Sequence, residues 1–269
     1  MENIDSLVQV SQDGDICEVT INRPGDRNSI NSELMSELKD FLTKIEQTKT
    51  RAIVFKGSGK EYFIGGADGI EMAQGDPEEA ASFSMRIQGL FKRMEESPLI
   101  LVAAIEGLCF GGGYEFSLAC DFRIATENSR IGLPEVKVGI IPGGGGTQRL
   151  SRLVGMGLAM EMILSGRLYT GNEAREMGLI HRVTSKENLD KEVRDFLAPV
   201  FKNPQYALSQ AKRAVKAYQN FGLEEGLKKE SEAFSECFRY DFFRKLMVKQ
   251  LKEGILQTTA NVDRILTPK

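Results

Sequence analysis

Between residues 104 and 150 the chain reads AIEGLCFGGGYEFSLACDFRIATENSRIGLPEVKVGIIPGGGGTQRL, a stretch with two glycine runs, Gly111–Gly113 and Gly143–Gly146. Without Cβ atoms such runs let one backbone approach another closely and make turns closed to other residues. The fold around them must therefore bring peptide groups together. A third glycine element, Phe63-Ile64-Gly65-Gly66-Ala67-Asp68, lies upstream. Two glutamates sit within this pattern: Glu115 just past the first run, and Glu135 directly after Pro134.

The flanking segments set the fold class. Residues Ile16 to Ile21 alternate with Cys17, Val19 and Ile21 on one face, the period of a half-buried strand. Ser32 precedes a helix whose stripe is Leu34, Leu38, Phe41, Leu42 and Ile45. Ala52 to Phe55 reads as a short strand. Asp76-Pro77-Glu78-Glu79 is a helix start, followed by Phe83, Ile87, Leu90, Phe91 and Met94 at helical spacing. Leu99 to Ile105 reads as a strand buried on both faces, and Asp121 to Thr126 and Leu179 to Val183 as further short strands. Helices are expected over Tyr114–Cys120 and Thr147–Val154. Strands alternating with helices imply an α/β core. Beyond about residue 190 the strand pattern stops, and helices are expected from Asn203-Pro204 through Tyr218, over Leu223–Phe238 and over Phe242–Leu251. Their aromatic content exceeds the need of one exposed helix, so they are expected to pack on another surface, a neighbouring subunit included. The residues from Gln257 onward are expected to be loosely held.

Composition excludes several classes. A net charge of −3 on 269 residues leaves no electrostatic footprint for nucleic acid. The longest wholly apolar run, Leu99 to Ile105, is too short to span a bilayer, and the acidic MENIDSLVQVSQDGD start is not that of a signal peptide. Cys17, Cys109, Cys120 and Cys237 lack CxxC spacing and read as reduced thiols, with no metal site. A cytoplasmic enzyme is expected.

Glycine-rich backbone beside carboxylates is what acyl-thioester chemistry requires. When a thioester is activated, negative charge develops on its carbonyl oxygen, and two fixed N–H donors stabilise it by several kcal/mol. Gly111–Gly113 running into a helix can supply one donor, and the Gly65–Asp68 element the other. Glu115 and Glu135 are twenty residues apart, too far to share a helix face, so folding must bring them together. Their neighbours Phe116, Leu118, Ile131, Leu133 and Val136 would raise a carboxyl pKa toward the working range. Taken singly, each glycine cluster also reads as a tight turn and each glutamate as a solvated side chain. Other candidates are weaker. His181, the single histidine, falls in an expected strand and reads as structural. Gly143–Gly146 lacks the lysine of a phosphate loop and reads as a turn. Arg23 and Arg27, in NRPGDRNSIN, could meet phosphate.

In order and spacing these pieces resemble the crotonase (enoyl-CoA hydratase/isomerase) superfamily, from about Ile16 to about Thr184 and more loosely through the helical tail. NRPGDRNSIN resembles its N-terminal CoA-contact motif and GGADGIEM its first oxyanion motif. GGGYE and GLPEVKVGIIPGGGGTQRL resemble the second oxyanion motif and the second-glutamate block. The resemblance implies a crotonase-like spiral of ββα units over residues 1–195 and a helical C-terminal region over 196–269, assembled as trimers or dimers of trimers. It implies that Ala67 and Gly112 donate the oxyanion N–H groups and that Glu115 and Glu135 are the acid/base pair. Arg27, Gly66, Ala67, Asp68, Gly69, Ile70 and Gly112 would line the CoA path. No cofactor or metal is implied, because coenzyme A or phosphopantetheine enters with the substrate.

The activity implied is reversible syn addition of water to a 2-enoyl thioester, with Glu135 exchanging the α-carbon proton and Glu115 positioning or deprotonating the water. The alternatives are a dehydratase acting on a branched acyl group on an acyl carrier protein in polyketide biosynthesis, a double-bond isomerase or acyl-CoA hydrolase, and a noncatalytic RNA- or partner-binding homologue. Two departures stand out. Gly69 replaces a usually apolar residue of the family motif, and the tail is longer and more aromatic than in ordinary fatty-acid hydratases.

Overall fold

The structure, a computed structural model, describes residues 6–255. The chain opens with two strands, Val8–Asp13 (β1) and Ile16–Ile21 (β2), then a helix, Ser32–Ile45 (α1), capped by the Asn31 side chain accepting from Leu34 N–H at 2.8 Å. Next come Ala52–Gly57 (β3), Tyr62–Ile64 (β4), a short helix Gly69–Ala73 (α2) and the long helix Pro77–Glu95 (α3). Asp76 and Glu79 close a reciprocal capping box on α3, as the acidic start with Pro77 leads one to expect. Ile100–Ile105 (β5), Leu108–Phe110 (β6) and Gly112–Ala119 (α4) follow, then Phe122–Thr126 (β7) and Arg130–Gly132 (β8). Helices Gly146–Val154 (α5) and Met156–Ser165 (α6) lead to Tyr169–Thr170 (β9), Gly171–Glu176 (α7), Arg182–Thr184 (β10) and Leu189–Leu197 (α8).

The architecture is a mixed α/β spiral. One sheet has the order β1-β2-β3-β5-β7-β10 and the other β4-β6-β8-β9. Pairs β3–β5 and β5–β7 run parallel in the first sheet, and β4–β6 and β6–β8 run parallel in the second. Each turn thus gives one strand to each sheet, bends between them, and returns through helix. The bend from β5 to β6 is at Gly107, where φ is +75° and a Cβ would overlap the Glu61 carbonyl of the previous turn. Only glycine lets successive turns stack that closely.

Helix α4 lies at the centre, with all eight of its residues buried. Such a helix is largely apolar, and two of its polar side chains are satisfied internally: Ser117 Oγ donates to the Tyr114 carbonyl and Glu115 accepts from Gly146 N–H. Phe116 meets Phe55 of β3, Phe63 of β4 and Phe91 of α3 edge-on at 4.9, 6.3 and 5.9 Å between ring centres. The helix begins at Gly112 rather than Tyr114, because Gly111 at φ +55° turns the chain directly into it. At its other end Arg123, buried on β7, donates to the Ser117 and Cys120 carbonyls at 3.0 and 3.1 Å. That places a cation at the negative end of the helix dipole.

The strand expected over Leu179–Val183 is shorter. Leu179 and Ile180 are buried in the turn that leaves α7, where the Leu179 N–H donates to Ala174 O, and the ladder starts at Arg182. His181 therefore precedes the strand. Its N–H donates to Arg123 O and its Nδ1 accepts the Arg123 N–H at 3.1 Å, while burial, with the Arg123 charge, drops its pKa to about 4.

The described residues divide into two compact units between Gln205 and Tyr206. The boundary expected after residue 195 falls inside α8. The second unit holds Gln205–Asn220 (α9) beyond its first residue, Leu223–Cys237 (α10) and Phe242–Lys252 (α11). Within it Tyr206 stacks on Tyr240 at 3.8 Å, and Phe238 meets Phe234 and Phe243 edge-on. The tail from Gln257 lies outside the described residues. Among the described residues no helix is long and apolar enough to cross a membrane.

At Gly113 a Cβ would overlap the Ile64 carbonyl. Gly113→Ala should cost about 3 kcal/mol or more. Exposed Gly89, mid-α3, has nothing within 4 Å of an added Cβ, so Gly89→Ala should stabilise by about 1 kcal/mol. Urea unfolding of both variants checks the contrast.

Candidate active site

Four of the expected residues converge where the Gly65–Ala67 turn meets the start of α4. A Cβ on Gly112 would stand 2.8 Å from the Ala67 nitrogen, and one on Gly66 4.0 Å from the Gly112 nitrogen. The Ala67 turn is held by its neighbour, with Ile30 N–H donating to Gly66 O and Asp68 N–H to Ile30 O. Among the described residues neither the Ala67 N–H nor the Gly112 N–H donates a hydrogen bond. Gly112 is the first residue of α4, so its amide adds the positive end of the dipole. Two adjacent unspent donors make a socket for an anionic oxygen.

Both carboxyls border this socket. Glu115 projects from the first turn of α4 and is 2% exposed. Its Oε1 accepts the Gly146 N–H at 2.7 Å, and the Gly144 amide adds a weaker interaction. The Gly143–Gly146 loop is thus an anion cradle whose anion comes from the chain itself. Glycine is required there: a Cβ on Gly144 would lie 2.6 Å from Glu115 Oε2 and 2.8 Å from the Phe91 ring. Glu135 opens a short 3-10 turn, Glu135–Val138, and its Oε1 lies 3.3 Å from where a Gly111 Cβ would be. Glu135 Oε2 is buried with no hydrogen-bond partner among the described residues.

Burial decides the protonation of this pair. Desolvation, reinforced by the Glu115 charge, lifts Glu135 to about 7. Burial lifts Glu115 as well, against the pull of the Gly146 and Gly144 amides and of Arg149. With Glu115 ionised, Glu135 keeps its proton up to about 7, and in that state one member can give a proton while the other takes one. No group of three metal-ligating side chains occurs among the described residues.

A family model described as enoyl-CoA hydratase/isomerase matches residues 11–254. The chain belongs to that family. It is 36% identical over 232 residues to a short-chain-enoyl-CoA hydratase of Clostridium acetobutylicum, covering 86% of this chain and 89% of that one. It is 35% identical to a crotonyl-CoA hydratase of Syntrophomonas wolfei, covering 81% and 84% respectively. A crystal structure of enoyl-CoA hydratase from Bacillus anthracis superposes with a TM-score of 0.84 at 34% identity, covering 93% of this chain and 97% of that chain.

The remaining expected residues of this family member divide into two sets. Arg27 is exposed in a left-handed conformation, its guanidinium 6.0 Å from the Tyr62 ring centre, and its carbonyl accepts the Gly65 N–H. Gly69 and Ile70 begin α2 on the surface, with Ile70 75% exposed. Gly69 has open space around an added Cβ, so sterics do not demand glycine. Asp68 caps α2 by accepting from Ile70 and Glu71 N–H. Burial pushes its carboxyl up, but the Glu71 amide and Arg23 carry it below its usual range. Arg23 is therefore no phosphate contact: it is consumed internally by Asp68, Asp26 and the Ser29 carbonyl. Two features escaped the sequence reading, the amide cradle for Glu115 and the Arg23–Asp68 pair beside Ala67. The Gly143–Gly146 run reads as a turn in sequence because it lacks the lysine of a phosphate loop, and nothing beside it shows that Glu115 fills it.

Glu135→Gln separates charge from packing. The folded pKa of about 7 exceeds the ordinary 4.5, so Glu135 favours the fold fully below pH 4.5 and loses that contribution as pH rises through 7. The thermal midpoint of the variant should gain on that of the parent between pH 5 and 8, with a ceiling of roughly 3 kcal/mol. A constant difference across that range would contradict the shift.

Proposed function

We propose that the protein catalyses reversible hydration of a 2-enoyl-CoA thioester to the 3-hydroxyacyl-CoA. The observation that carries this is the meeting of the buried Glu115 carboxyl and the half-buried Glu135 carboxyl at a pair of unspent backbone donors, Ala67 and Gly112. The thioester oxygen sits between those N–H groups and takes up enolate charge there. Glu115, whose ionised form the cradle amides favour, accepts a proton from water attacking the β-carbon. Glu135 delivers its proton to the α-carbon. The reverse reaction runs with the proton positions exchanged, so the singly protonated pair is active both ways. Arg27 and the surface of α2 from Asp68 to Ile70 border the CoA path, supported by the exposure of Arg27, Gly69 and Ile70.

The same reading includes trimers or pairs of trimers. Apolar side chains left exposed within the first unit (Met156, Met160, Leu164) and within the second (Phe234, Phe238, Phe242) support self-association. A reducing cytoplasmic setting accords with four free cysteines. Light scattering should give a particle of three or six chains.

Crotonyl-CoA hydration, read as 3-hydroxyacyl product by mass, tests the activity. Glu115→Gln and Glu135→Gln should each lower kcat by about 10²- to 10⁴-fold while the circular dichroism spectrum stays unchanged. Parent kcat/KM should be bell-shaped with its basic limb near 7, where Glu135 loses its proton, and identical in both directions because hydration releases no net proton. Near-normal turnover by either variant, or 3-to-2 double-bond movement without hydration, would defeat the assignment. Parallel assays on acyl-carrier-protein thioesters decide the carrier.

A further inference from the structure

The Gly143–Gly146 loop is held from outside by groups that never touch the site. Its carbonyls are the handles. Ser84 Oγ and Gln88 Nε2 of α3 donate to Gly143 O at 2.6 and 2.7 Å. Arg149 Nη1 of α5 donates to Gly144 O at 2.8 Å. The Gln148 and Arg149 N–H groups donate to Gly145 O. Because a trans peptide points its C=O and N–H in opposite directions, pinning the Gly143 and Gly145 carbonyls aims the Gly144 and Gly146 amides the other way, toward Glu115.

Arg149 is itself fixed. Its Nε and Nη2 donate to Glu95 Oε1 and Oε2 at 2.9 and 2.8 Å, a two-pronged pair with both side chains only 14% exposed. Its guanidinium carbon lies 5.9 Å from the centre of the Phe91 ring, the ring against which Gly144 packs. Gly145, at φ +101°, has no room for a Cβ beside Arg149 Nη1. Loop, guanidinium and ring therefore interlock.

We infer that Arg149, braced by Glu95, is a positioning residue for Glu115: it anchors the Gly144 carbonyl, in the peptide between the two cradle amides, and places a cation behind the carboxylate. The inference rests on the hydratase reading for its kinetic consequence and on geometry alone for its electrostatic one. The charged groups acting on Glu115 are Glu135 from the 3-10 turn, Arg149 from α5, and Glu95 of α3 through Arg149. Arg149 favours the ionised form of Glu115, and Glu95 offsets part of that cation.

The test is carboxyl carbon NMR on glutamate-labelled, unliganded protein, with the Glu115 resonance assigned by its loss in Glu115→Gln. Arg149→Met should move the Glu115 midpoint to higher pH. Glu95→Gln, which keeps the cation and neutralises its partner, should move it lower. In crotonyl-CoA hydration Arg149→Met should lose about 10- to 100-fold in kcat with little change in KM, and Arg149→Lys should restore part of it. A residue that only stabilises the fold would lower the unfolding midpoint and leave the Glu115 titration in place. Shifts of both variants in one direction, or an unmoved titration, overturn the inference. If Arg149→Met does not fold, Arg149→Lys and Glu95→Gln carry the same comparison, with the Glu115 midpoint above the parent in Arg149→Lys and below it in Glu95→Gln. Absence of hydration by the parent would instead count against the hydratase reading and leave the titration result standing.

Discussion

A carboxylate kept inside a protein must be solvated by the protein, and here the solvating groups are backbone amides of a glycine loop. An isolated charge in such a place costs many kcal/mol, whereas each hydrogen bond to an ionised group returns about 1.5–3 kcal/mol. Glu115 obtains its amides only because Gly144 and Gly146 have no side chains to obstruct them. That requirement fixes where α5 begins, how near α3 must pass, and which face of α4 carries the acid. The unspent Gly112 amide is subject to the same geometry, since Gly112 and Glu115 share the first turn of α4.

The two glutamates differ in proton affinity because their surroundings differ. Glu115 meets the Gly146 and Gly144 amides, which oppose the rise that burial imposes, whereas Glu135 has only its own backbone amide and one unpartnered oxygen and keeps its proton to about 7. Their proximity strengthens the contrast, because ionising one raises the cost of ionising the other. Two carboxyls of the same intrinsic strength thus come to differ through environment.

Local chemistry made much of this legible in the sequence. The Asp76-Pro77 start, the alternation over Ile16–Ile21 and the continuous apolar run at Ile100–Ile105 each have one favoured conformation, and each forms as the pattern suggests. The glycine runs and the motif order pointed to Ala67, Gly112, Glu115 and Glu135 together. Features that depend on distant partners were not legible. Arg23 looks like a phosphate contact until Asp68, forty-five residues on, is seen to occupy it. The hydrophobic Leu179-Ile180 pair looks like strand until the turn after α7 buries it. Gly143–Gly146 looks like a bare turn because nothing nearby in sequence reveals that Glu115 fills it.

The complete burial of α4 has a consequence for how such a molecule can diversify. No residue from Gly112 to Ala119 faces open solvent, so the helix bearing Gly112 and Glu115 offers no position at which acyl preference can drift without disturbing packing. Adaptation to new acyl groups has to come from the elements packed around this helix rather than from the helix itself. A directed-evolution library would do best to freeze the inner helix and randomise its surroundings.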